Sequence, residues 1–151
     1  MEPNKIKQEE YRERKGQLKK AMRFGFYFEA IFIEYAIIED RTESVLRHAG
    51  DIKLTNSREQ PLKLTEKLNK IKSCSQFHDK NIRRLLSLEL LSSIDEWRKK
   101  RNEIVHNLMN RSDDLDELKA LAEQGQELVR VLDNKVSAVN RRFDNTNSHI
   151  N

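Results

Sequence analysis

Arg101, Asn102 and His106 lie in one stretch, Ile94 to Asn107, and combine a fixed cation, an amide and an imidazole. Imidazole exchanges protons near neutral pH, and guanidinium grips phosphate through two parallel hydrogen bonds. The chemistry this set could serve is attack of a ribose 2′-hydroxyl on the adjacent phosphate. That reaction needs a group to move a proton, for which His106 is suited, and a cation for the charge that builds on phosphorus, for which Arg101 is suited. Asn102 could orient the imidazole or bind a phosphate oxygen. Helical geometry sets a constraint. Five residues turn a helix by about 140°, so Arg101 and His106 diverge on one helix, whereas Asn102 and His106 nearly eclipse. Two such helices facing across a two-fold axis could bring them together in a composite site.

Arg101 also occupies an unusual position. Leu90, Ile94 and Trp97 recur at helical spacing, the next step is Arg101, and Val105 and Leu108 continue the stripe. A guanidinium on an apolar face must meet an anion or bear a large desolvation penalty. The candidate ion-pair partners are Glu39 and Glu43 on the apolar segment upstream. The alternative is a two-fold interface through this helix, with both Arg101 side chains facing a wet cleft that binds an anion. Arg98, Lys99 and Lys100 precede Arg101 directly and would steer RNA towards it.

These residues resemble the motif of the HEPN family (higher eukaryotes and prokaryotes nucleotide-binding): Arg, four to six residues, then His, with a polar residue, often Asn, directly after the Arg. Arg101, Asn102 and His106 match it late in the chain, on a helix followed by a closing helix. Two other pairs have the spacing, Arg41–His48 and Arg142–His149. Arg41 is followed by Thr42 and falls off its helix's stripe, and Arg142–His149 runs into the polar end of the chain. The resemblance implies a small helical bundle that dimerises and cleaves RNA without a metal, in a toxin–antitoxin or antiviral defence setting. It implies RNA as substrate, a homodimer, and an antitoxin or defence-system partner. Family members controlled by a nucleotidyltransferase antitoxin carry Tyr two residues after the His; here that position is Leu108, so such control is not expected.

Other chemistries lack their parts. There is no Gly-rich phosphate loop, no GxSxG elbow and no HExxH, and His48, His78, His106 and His149 have no metal-ligand spacing, so neither metal nor cofactor is expected. The single Cys74 excludes an internal disulfide, making a reducing cytoplasm the expected setting. No run approaches the length of a membrane span. Net charge is +4 but unevenly spread: residues 63–101 carry eleven Lys/Arg against five Asp/Glu, and residues 112–133 seven acids against two bases. A molecule so polarised suits a polyanion on one side or a partner across the two.

With 36% hydrophobic and 36% charged residues, only 4 Gly and 2 Pro, the chain reads as long helices joined by short connections. A charged helix is predicted over residues 4–22, then an apolar one through Ala49, capped by Gly50. Residues 51–60 read as a loop, with Pro61 opening a short helix and residues 73–80 a connection. The helix carrying Arg101 starts between Asn81 and Leu86 and ends near Asn107 or Asn110. Ser112-Asp113-Asp114 would cap a last helix whose stripe (Leu115, Leu118, Ala122, Gly125, Val129, Leu132, Val136, Val139, Phe143) has small residues at its middle. The expectation is an all-α, four- to five-helix up-and-down bundle, HEPN-like, forming one domain over 1–143 with a disordered tail at 144–151. A second reading is a non-catalytic helical interaction or adaptor module that uses the 115–143 seam for a partner.

Overall fold

The structure, a computed structural model, describes residues 3–107 and 115–148. Helix α1 (Pro3–Phe24) runs unbroken through Gly16 and ends at Gly25, whose φ of 75° reverses the chain. Helix α2 (Tyr27–Ala49) starts two residues later, so the pair is antiparallel, and Gly50 closes α2 with its N–H on the Arg47 carbonyl. Leu18 and Ala21 are the buried residues of α1. Its docking is completed by Tyr11 and Lys15, which bond the two carboxylate oxygens of Asp133 at 2.9 and 2.8 Å.

The loop after α2 differs from the sequence reading. Pro61 does not open a helix but pairs across the loop with Thr55, and the Asn56 side-chain oxygen accepts from the Arg58 and Gln60 amides to tighten the turn. Helix α3 (Leu64–Ser73) begins later, where the Glu66 carboxylate accepts the Lys63 amide. The expected connection at 73–80 holds a 3-10 turn, Ser75–Phe77, that carries Phe77 into the core against Phe143. The single helix expected from about residue 81 is two: α4 (Lys80–Leu85), capped by Asp79, and α5 (Leu88–His106), capped by Ser87.

Helix α6 (Leu115–Ser148) buries Leu118, Leu121, Ala122, Gly125, Leu128, Val129, Leu132, Val136, Val139 and Phe143. Its predicted Ser112-Asp113-Asp114 cap lies outside the described residues. The expected disordered tail is helical as far as Ser148, where Asp144 meets His48 at 2.7 Å. Asn140 bonds Ser44 one turn earlier on both helices, so α2 and α6 run parallel, side by side. The long helices α1, α2, α5 and α6 alternate in direction, with α3 and α4 inserted between the second and third. Among the described residues the fold is all-helical, and no helix is long and apolar enough to cross a membrane.

Two expectations about interfaces change as a result. The α6 seam is occupied by the chain's own α2, which removes it as a docking strip for a partner helix. The α5 stripe is likewise internal: Leu91, Ile94, Trp97 and Ile104 are buried in the monomer core, with Leu90 and Val105 only partly covered. The register is shifted by one residue at this end, where Leu91 is fully buried and Leu90 only partly. Ile94 and Trp97 of the expected two-fold stripe are therefore packed within the monomer, while Leu90 and Val105 keep some exposure and Leu108 lies outside the described residues.

Candidate functional site

Helix α5 is anchored by Trp97, whose indole N–H donates to the Leu121 carbonyl at 3.0 Å and whose ring stacks on Tyr35 of α2. One turn further, Arg101 leaves the core and lies against α2. Its guanidinium carbon sits 4.2 Å from the centre of the Tyr35 ring and 5.3 Å from that of Phe32. Each such contact contributes about 0.5–2 kcal/mol, the larger values where water is excluded. The Nη1 of Arg101 donates to the Asn102 side-chain oxygen at 3.0 Å, while its Nε is buried without a hydrogen-bond partner.

The expected carboxylate partners do not take part. Glu39 meets Lys67 of α3 at 3.4 Å, and Glu43 meets Arg47 at 3.3 Å within its own helix. The physical reason is register: Tyr35 fills the position on α2 opposite Arg101, leaving Glu39 a turn away beside α3. Among the described residues no carboxylate neutralises Arg101; aromatic faces hold it instead. Burial raises the Tyr35 phenol above its ordinary value and Glu39 adds to this, while Arg101 and Arg98 pull it back.

Arg101, Asn102, Glu103, Val105, His106 and Asn107 line one open depression at the end of α5. Arg101 and Asn102 are half-buried in its wall and His106 is exposed at its rim. The fold thus gathers all three motif residues around one surface hollow. The Asn102 oxygen is engaged by Arg101, so the amide orients the guanidinium rather than the imidazole.

The basic run divides. Arg98 bonds Asp95 at 2.9 Å and Lys99 reaches the other oxygen of that carboxylate at 3.4 Å. Burial pushes the Asp95 carboxyl up, but the Arg98 and Lys99 contacts more than reverse this and hold it below the usual carboxylate range. Lys100 is exposed. Over residues 95–106 four cations, Arg98 to Arg101, face three acids, Asp95, Glu96 and Glu103, and Glu103 lines the same hollow as Arg101. The other motif-spaced pairs are engaged elsewhere: Arg41 pairs with Asp40 at 2.7 Å and stacks on Tyr11, and Arg142 approaches Asp79 at 3.5 Å.

Three residues of this region escape a reading by pattern. Phe32 and Tyr35 belong to a stripe of aromatics that reads as core, yet Phe32 is 51% exposed and Tyr35 half-buried. Glu34, between them, is fully buried with neither carboxyl oxygen hydrogen-bonded, and burial pushes its pKa up to about 9, so it is protonated at neutral pH. It lies beneath the site, against Trp97 and Gly125. The only sequence signal was a lone acid inside an apolar run. Among the described residues no group of three or more His, Cys, Asp or Glu could hold a metal.

No protein-family model matches the chain, and comparisons with curated proteins and with solved structures gave no match.

Proposed function

We propose that the chain is a HEPN-type endoribonuclease that cleaves RNA as a homodimer, in a toxin–antitoxin or antiviral defence setting. The observation that carries this is Arg101. A guanidinium placed on the core side of α5 has no carboxylate partner among the described residues, is held by aromatic rings, and opens onto the hollow shared with Asn102 and His106. A phosphate suits a guanidinium so placed, through two parallel hydrogen bonds.

In the proposed reaction the ribose 2′-oxygen attacks phosphorus and the bond to the 5′-oxygen breaks, leaving a 2′,3′-cyclic phosphate and a 5′-hydroxyl. His106 takes the proton from the attacking hydroxyl. A second imidazole, His106 of the other copy, protonates the departing oxygen, which is one reason for the two-fold arrangement. Arg101 faces the phosphate oxygens as negative charge grows, and Asn102 fixes its fork.

The end groups of the products provide the test. Incubation of labelled RNA with the protein in EDTA should give cyclic-phosphate ends, and a DNA oligonucleotide of the same sequence should stay intact. Cleavage of the DNA, or loss of all activity in EDTA, would overturn the mechanism.

A further inference from the structure

Phe32 is an exposed aromatic residue whose ring is in contact with Arg101, which has no carboxylate partner among the described residues. A half-exposed phenylalanine on an otherwise well-packed helix loses apolar burial, and nothing in the core requires it there: its α2 neighbours Ile31 and Ile33 are buried on the other side. The charged group in contact with it is a cation: the Arg101 guanidinium lies over the ring. On α5 Lys100 is exposed beside Arg101, and the run Arg98 to Arg101 is followed by the single acid Glu103 before the helix ends. A ring beside cations suits an occupant that is flat and apolar on one face and carries negative charge next to it. A nucleotide has both parts: a base that stacks and a phosphate that the guanidinium can grip. A protein helix laid on one ring would instead place its apolar side chains against the Arg101 guanidinium.

From this juxtaposition we infer that Phe32 is the stacking platform of a base-binding subsite for single-stranded RNA, contiguous with the phosphate grip of Arg101. The inference deepens the ribonuclease reading and rests on it for the choice of Arg101 as the phosphate contact. The subsite selects unpaired RNA, because a base held inside a duplex cannot offer its face to the ring. It tolerates sequence variation, since every base has such a face. Tyr35 acts as a positioning residue, holding the guanidinium from beneath so that it points to the phosphate next to the stacked base.

The test is binding, measured separately from cleavage. The full chain is titrated with a short 2′-O-methyl oligonucleotide, which cannot be cut, and with an abasic oligonucleotide of equal length. Phe32→Ala should weaken binding of the base-bearing strand about 5- to 100-fold and leave the abasic strand unchanged, the range that one stacked base contributes. Phe32→Trp should bind as the parent does, and its indole emission should be quenched by the base-bearing strand alone, with Trp97 silent inside the core. Equal binding of the base-bearing strand by the parent and Phe32→Ala would overturn the subsite. So would a Phe32→Ala protein that loses self-association and binds RNA unchanged, which would assign the ring to an interface between copies. Cleavage assays on the same proteins keep the two proposals apart: Phe32-dependent binding without any cleavage would retain the subsite and remove the nuclease.

Discussion

Glu34 shows how one side chain under the site governs stability. Its carboxyl titrates near 9 in the fold, against an ordinary value of 4.5. Between those values the folded chain holds a proton that the unfolded chain has released, so stability falls as pH rises through that window. Urea unfolding from pH 5 to pH 9 should show this decline, at up to about 1.4 kcal/mol per pH unit from this one group. Glu34→Gln, which keeps the shape without the titration, should flatten it. A parent and a Glu34→Gln protein with the same pH profile would show that Glu34 is not held protonated. That Arg101, Asn102 and His106 share one helix end was legible in the sequence, because spacing and a broken stripe expose it. What holds Arg101 was not. Carboxylates and aromatic faces both satisfy a guanidinium, and only the register between α2 and α5 decides that Tyr35, not Glu39, lies opposite it.

At the scale of elements, the contact of α6 with α2 depends on Gly125. A methyl group there would lie 2.8 Å from the Trp97 ring and overlap the Glu34 carboxyl. Gly125→Ala gains helix propensity of roughly 1 kcal/mol, yet forcing apart a packed interior costs about 1–3 kcal/mol and displaces the indole that anchors α5. A lower urea midpoint is expected for Gly125→Ala, together with altered near-ultraviolet circular dichroism from Trp97. Adding Glu34→Ala should recover part of the loss, because the two positions share one space. A Gly125→Ala protein more stable than its parent would refute this packing. The α6 stripe and its small middle residues were plain from periodicity. The break at Ser87 was not, since Leu85, Leu86 and Leu88 keep an apolar pattern across it and only the serine cap marks the new start. The helical end of α6 was also missed, because a polar segment reads as tail until His48 is seen to pair with Asp144.

At the scale of the molecule, Ile94 and Trp97 of the α5 stripe are packed inside the monomer, and the proposed dimer is expected to use the surface around the hollow. Positive charge from two copies of Arg101 would then converge and oppose association until an anion enters. Sedimentation equilibrium at tens of micromolar protein should accordingly show a stronger dimer with an uncleavable RNA or phosphate than without. A monomer under every condition would exclude a site shared between copies. The most direct measurement is the rate of RNA cleavage in EDTA by the parent protein, His106→Ala and Arg101→Ala, each purified in parallel and shown to be folded. A shared catalytic site requires both variants to be slower by a factor on the order of 100 to 10,000, the range expected for losing a general acid–base group or a phosphate-stabilising cation. Equal rates in all three would contradict it.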